Sequence, residues 1–461
     1  MSTQPQSHAR HARAVLVLGL PLIGGNLAQL AVGFTDTVML GWYQVETLAA
    51  GVIASSYFFV FFIAASGFSN AVLPMVAKSA AIGDETQIRR VTRMGLWLSA
   101  LWAVILMPFM WWSGPILRIL GQTPEIADLA QDYLRIAGWG LIPSLLVMVM
   151  KSYLSALERT QVVLWVTILG ALANGVANWL LIFGNWGFPE LGIRGAALAS
   201  LVLYVLMLVG LCVYAVLSLP QHELFRRFWR PDWEAFASVY RLGWPIGITL
   251  LAEVGLFAAS AIMMGWLGTL PLAAHGIALQ LATATFMVHI GLSQAATVRS
   301  GRAFGARDVG DLLRGAQVAM ALSLATVLCT VILFLALPEL LMGLFLDPDD
   351  PNRAQIIAIG VGLLAVAALF QLADGSQVVV MGLLRGVQDT KSPMVIAALS
   401  YWGIGLPAGY VFGFIVGWGA VGIWIGLVLG LTFAAVLMLW RFWVQRRWVK
   451  QMQMEPVQAV P

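Results

Sequence analysis

Apolar residues run along this chain in long blocks separated by short polar breaks, without the two-residue alternation of a half-buried strand or the one-sided stripe of a surface helix. A helix that crosses a bilayer needs about 20 mostly apolar residues. Twelve stretches reach that length, at approximately 14–40, 48–77, 91–113, 130–153, 161–184, 192–217, 238–266, 272–297, 314–337, 355–384, 393–416 and 420–443. The first is too long for the core of a signal peptide and ends without a small-residue cleavage motif, so it is read as a retained helix.

Composition agrees with that pattern. Of the 461 residues, 60% are hydrophobic and only 10% charged, against roughly 25% charged in soluble chains. A water-soluble globule is excluded, and the surface is expected to face membrane lipid. The formal net charge of +4 does not indicate a nucleic-acid partner here, because the position of the cations matters more than their sum. On alternate sides of the twelve spans, Arg118, Arg135, Arg194 and Arg353 fall together, leaving 22 of the 26 Lys and Arg on the opposite side. The positive-inside rule makes the richer side cytoplasmic and places both termini there. These cations, Lys151 and Arg385 among them, are read as anchors with no substrate role. Cys212 and Cys329 lie in separate apolar runs and the five histidines are scattered, so neither a disulfide framework nor a Cys- or His-based metal centre is indicated.

The chain repeats itself. Leu18-Gly19-Leu20-Pro21 returns as Leu242-Gly243-Trp244-Pro245, Gly41-Trp42 as Gly265-Trp266 and Leu48-Ala49-Ala50 as Leu272-Ala273-Ala274, all at an offset of 224, with Asp84 opposite Asp308. Later, Leu154 to Thr160 matches Leu384 to Thr390 at an offset of 230. Six spans per half give both copies the same topology. The expected fold is all-α and integral to the membrane, twelve helices in two six-helix bundles related by a pseudo-two-fold along the membrane normal. The expected lobes are 1–217 and 238–461, the latter with a cytoplasmic tail, joined by a cytoplasmic linker at 218–237. Such bundles suit alternating access. Pro21 and Pro245 each remove a helical hydrogen bond and are candidate hinges. Gly405, Gly409, Gly413, Gly417, Gly422, Gly426 and Gly430 recur at close spacing on the last two spans, which suits close helix packing.

Candidate chemistry lies in three carboxylates inside predicted spans, Asp36, Glu253 and Asp374. An acid at that depth is expensive and is a functional hypothesis by default. The repeat aligns Glu253 with Gln29, Asp36 with Ser260 and Asp374 with Ser144, so the acids break the symmetry. Thr249 and Ser260 share a helical face with Glu253; Gln371 and Gln377 share one with Asp374, and Phe370 stands one turn from that acid. Asn174 and Asn178 are four residues apart and can join Asp36 in a second polar cluster, or simply tie helices together. Na⁺ would use several oxygens around Glu253 and Asp374, whereas a proton needs only one acid to carry it. The residues leave both open. His275 and His289 are read as packing residues.

At LGLPLIGGNLAQLAVGFTDTVMLG, LGWPIGITLLAEVGLF, LAAHGIALQ and ADGSQVVVMGLLRGVQDTKSP the sequence resembles the multidrug and toxic compound extrusion (MATE) family in its NorM-like branch, over nearly the whole chain. The resemblance implies a secondary active exporter, not an enzyme, in the bacterial inner membrane. It would exchange Na⁺ or H⁺ for small organic, often cationic and amphipathic compounds, act as a monomer and need no cofactor beyond the coupling ion. It implies that Glu253 and Asp374 are the acids of a C-lobe cation site, a candidate Na⁺ site, with Gln371 and Phe370 beside them, and that Asp36, Asn174 and Asn178 form an N-lobe polar site. Phe370 stands where some relatives have tyrosine, and Gly276 where glutamine is usual after the histidine of the eighth span. Asn178 replaces an aspartate found in another branch, which favours coupling through the C-lobe. The alternative is a lipid-linked precursor flippase of the same superfamily, which would need cations in its cavity.

Overall fold

The computed structural model describes residues 8–454; the two termini assigned above to the cytoplasmic side lie outside them. Twelve helices are long and apolar enough to cross a membrane, and no strand occurs among the described residues. They are α1 His8–Tyr43, α2 Val45–Ala81, α3 Glu85–Trp111, α4 Pro124–Ala156, α5 Thr160–Phe183, α6 Ile193–Ser218, α7 Trp233–Leu267, α8 Thr269–Gly305, α9 Val309–Ala336, α10 Arg353–Gly386, α11 Lys391–Ile415 and α12 Gly419–Gln445. Most overrun the apolar stretches read from sequence, because the helical hydrogen-bond ladder continues past the apolar core into polar residues. Leu169, Leu172, Ile332 and Leu399 are among many large apolar side chains left exposed on them. On a soluble protein such a surface would be a liability; on twelve spanning helices it is the lipid-facing coat of a multi-pass membrane protein.

The repeat is visible in backbone geometry. Asp84 and Asp308 each cap the following helix, their carboxylates accepting the amides of Gln87 and Asp311 at 2.8 Å, which satisfies an orphan donor of the first turn. Glu158 and Gln388, at the 230 offset, both adopt φ 63° in the turns after α4 and α10. In each turn the next amide returns to a carbonyl five residues back, Arg159 to Leu154 and Asp389 to Leu384, at 2.9 Å, closing a Schellman-type cap.

The chain packs as two compact units, Gly24–Gly247 and a second made of Met1–Ile23 with Ile248–Pro461. In the first, α4 packs against α2, α3 and α6; in the second, α10 packs against α8, α9 and α12. The division does not fall in the linker. It cuts α1 and α7 just after Pro21 and Pro245, and both helices run unbroken through their prolines. The linker is fastened to α3 of its own unit. Arg93 donates to the carbonyls of Leu224 and Glu223 at 2.6 and 2.7 Å and to that of Arg226. Arg90 pairs with Asp232 at 2.5 Å and Glu234 at 2.6 Å, and Trp97 reaches the Phe228 carbonyl at 2.9 Å. Arg90 and Arg93 therefore have a bonding role beyond that of membrane anchors.

Close packing accounts for most of the glycine series. A Cβ on Gly422 would meet the Phe412 carbonyl carbon at 2.5 Å, and one on Gly430 would meet Gly405 Cα at 2.9 Å. Gly417 is the exception. Nothing approaches it, and at φ 83° it serves the turn between α11 and α12, a conformation that suits glycine. Helix α11 is also irregular, with π-helical segments at Leu399–Gly405 and Val411–Ile415.

Candidate functional site

Within the unit Gly24–Gly247, α1, α5 and α6 bring a polar cluster together. Asp36 accepts from Asn178 Nδ2 at 2.5 Å through one oxygen and from Ser200 Oγ at 3.2 Å through the other. Asn178 also donates to Asn174 Oδ1 at 3.3 Å, across one helical turn of α5. Both asparagines are fully buried. Ser200, on α6, is a partner that sequence reasoning missed; one serine in an apolar span gave no signal. Tyr133 and Tyr204 lie within electrostatic reach of Asp36. On the same unit Lys151, counted above with the cytoplasmic anchors, turns to Gln29 Oε1 at 3.5 Å. Its position near the end of an apolar run made it look like an anchor.

The second unit holds the other two acids. Glu253 on α7 is 7% exposed and Asp374 on α10 is 1% exposed, and they are near enough to interact as like charges. Arg385, also read as an anchor, instead lies within electrostatic reach of Glu253. Gln371 does not turn to the acids through its amide nitrogen, which donates to Thr285 on α8 at 2.6 Å. Phe370 packs edge-on against Phe257 and Trp424, with centroids 6.0 and 5.6 Å apart, and so forms a wall with no oxygen to offer. Trp424 Nε1 donates to His275 Nδ1 at 3.1 Å. His289 meets Ser323 at 3.1 Å, and Ser323 donates to the Gly375 carbonyl at 3.2 Å. Both histidines act as packing residues with a bonded ring nitrogen. Their other ring nitrogen is buried without a partner.

Several oxygens around the second pair are unsatisfied. Glu253 Oε1, Asp374 Oδ1, Gln371 Oε1 and both carboxamide atoms of Gln377 are buried without a hydrogen-bond partner. Each such atom costs about 1–3 kcal/mol when left empty-handed. A small cation, or a proton with water, would satisfy the oxygens, whereas Gln377 Nε2 is a donor and needs an acceptor such as water. Among the described residues no group of three or more His, Cys, Asp or Glu converges, so a guest ion here would rely on two carboxylates and neutral oxygens.

Acids held inside an apolar twelve-helix body, Asp36 half-buried and Glu253 and Asp374 buried, fit an integral membrane transporter. The chain belongs to the MatE family, whose model matches residues 21–180 and 245–411. Both matches begin at a proline of the repeat, Pro21 and Pro245. The chain is 45% identical to "Probable multidrug resistance protein NorM" of Rhizobium meliloti (strain 1021), over 96% of this chain and 95% of that one. Its identity to the protein of the same name from Agrobacterium fabrum is 46%, over 94% and 93%. In fold it is similar to the crystal structure of the eukaryotic MATE transporter AtDTX14, with a TM-score of 0.87 at 18% identity over 97% of this chain and 98% of that one.

Proposed function

We propose that the chain is a secondary active multidrug exporter, a Na⁺ or H⁺/organic compound antiporter that works by alternating access between its lobes, 1–217 and 238–461. It acts as a monomer in the bacterial inner membrane, with both termini cytoplasmic, and takes small cationic, amphipathic compounds. The observation that carries the coupling is the set of unpartnered oxygens around Glu253 and Asp374. An exporter driven by an ion gradient needs a buried site that pays for desolvation only when the ion is present, and an acid pair short of donors meets that need. The bacterial relatives named for multidrug resistance support the cargo class. The predominance of Lys and Arg on one side supports the orientation.

A flippase for lipid-linked precursors would need several cations converging on a pyrophosphate. Lys151 and Arg385 are single half-buried cations on different units, Lys151 facing an amide and Arg385 near an acid, so the exporter reading is preferred. The test is export from proteoliposomes at equal pH on both sides, with a Na⁺ gradient opposing drug movement and a protonophore present. Export that survives indicates Na⁺ coupling. Export only under a pH gradient without Na⁺ assigns the acids to protons, and export under neither gradient overturns antiport.

A further inference from the structure

The acid pair has a third neighbour that the sequence did not single out. Tyr401 on α11 is fully buried, and its hydroxyl has no hydrogen-bond partner. It lies within electrostatic reach of Glu253, Asp374 and Arg385, and the Gln377 carboxamide is its hydrogen-bonding neighbour, although the two do not close a full hydrogen bond and both stay short of partners. A buried tyrosine ordinarily finds a partner for its O–H.

The backbone explains how the hydroxyl arrives there. Tyr401 sits in the π-helical segment Leu399–Gly405. Such segments are unusual within an α-helix, and they recur at functional sites. The segment is pinned on two sides. The indole of the next residue, Trp402, donates to the Ala252 carbonyl at 3.1 Å, one residue before Glu253, and a Cβ on Gly255 would meet that indole at 2.7 Å. On the other side Gly405 rests on Gly430, where a Cβ would come within 3.1 Å of the opposing Cα. The turn that carries Tyr401 is thus docked on the turn of α7 that carries Glu253.

We propose that Tyr401 and Gln377 complete an oxygen cage for Na⁺ at the Glu253–Asp374 pair, with the tyrosine hydroxyl oxygen as a direct ligand. The proposal rests on the cation-coupled reading above and adds ligands and ion selectivity to it. Two carboxylates alone suit any cation; neutral oxygens held by a rigid turn favour a small ion that can shed its water. A proton would require neither group. Phe370, on the same helix as Asp374, contributes no oxygen, whereas Tyr401 on α11 brings one within reach of the pair. With the cage empty, Arg385 is the countercharge of Glu253.

The experiment is equilibrium binding of radioactive Na⁺ to the purified full-length protein in lipid nanodiscs, with K⁺ and Li⁺ as competitors. Tyr401→Phe keeps the ring and removes only the hydroxyl. It is expected to weaken Na⁺ affinity about tenfold, which is about 1.4 kcal/mol, and to reduce discrimination against K⁺, with affinity for an organic cation unchanged. Gln377→Leu should act in the same direction, and it carries the test if Tyr401→Phe fails to elute as a monodisperse species. Wild-type Na⁺ affinity and selectivity in Tyr401→Phe, with binding lost in Asp374→Asn, would overturn the cage and leave the acid pair as the coupling site. Absence of Na⁺ binding to the wild-type protein would also overturn it. Failure of the underlying reading is a separate result, gradient-driven export unaffected by Glu253→Gln and Asp374→Asn.

Discussion

The two units begin from one repeated pattern and treat their carboxylates in opposite ways. Around Asp36 the protein supplies the donors: Asn178 serves one oxygen and Ser200 the other. Around Glu253 and Asp374 it withholds them, and each acid keeps a buried oxygen without a partner. The nearby cations differ in the same sense, since Lys151 faces the neutral amide of Gln29 while Arg385 is in electrostatic reach of Glu253, the residue at the repeat position of Gln29. The contrast separates the two acidic centres by how many donors the protein gives each carboxylate. What separates a carboxylate whose two oxygens are both met from a receptive one is the count of donors built around it, because an unmet buried acceptor is costly until a guest arrives; the first centre still keeps Asn174 Nδ2 and Asn178 Oδ1 buried without a partner.

The largest expected effect comes from neutralising the receptive pair. Glu253→Gln and Asp374→Asn should each insert and purify normally yet export at the level of empty vesicles under either ion gradient. Near-normal antiport by either variant removes the contrast. Asp36→Asn should do less, changing substrate range or affinity while Na⁺ or proton binding in the second unit stays measurable; a loss of ion binding equal to that in Glu253→Gln would mean that the two centres act as one. Ser200→Ala deletes one donor to Asp36 and should cost about 1 kcal/mol, seen as a severalfold shift in the affinity of any substrate that Asp36 contacts. No shift with such a substrate would show that Asp36 does not depend on its protein donors.

The smallest effect lies outside both centres and serves as a control. Hydrogen bonds from the Arg90 guanidinium hold the Asp232 carboxyl below the usual carboxylate range. A carboxylate depressed in the folded state stabilises it above its unfolded value, about 3.9, and loses that contribution as pH falls through the folded value. Arg90→Gln should therefore lower stability by up to about 1 kcal/mol at pH 7, since the pair is partly exposed. The difference from wild type should shrink in melts at acid pH, with export untouched. A difference that grows on acidification contradicts the assignment.

Much of this was legible in the sequence, and the failures share a physical cause. The twelve spans follow from length and hydropathy, which the bilayer imposes on any chain that crosses it. The repeat was readable because caps and turns demand particular residues, as Asp84 and Asp308 show. Asn174 and Asn178 were readable as polar residues at one-turn spacing and Asp36 as an acid inside a span, and the structure joins them. Ser200, Tyr401, Lys151 and Arg385 were not. Each acts through a partner far away in sequence, and neither a serine in an apolar run nor a cation near a span end distinguishes a buried contact from an idle one. The π-helical turn that delivers Tyr401 has no composition of its own, and Gln371 turns to Thr285 on another helix, which spacing along α10 does not reveal.

The division of packing through α1 and α7 bears on how the molecule is made. The unit Gly24–Gly247 has all its segments once synthesis passes residue 247, but the stretch just before Gly24 packs with residues from Ile248 onward. That opening stretch therefore leaves the ribosome early and waits in the bilayer, without the surfaces it finally covers, until the other half has been translated. During that interval it is exposed to lipid, to insertion machinery and to proteases. Two separately made fragments cut in the linker would each lack a piece of their own packing unit, so neither half is expected to mature alone, and co-expression should rescue both.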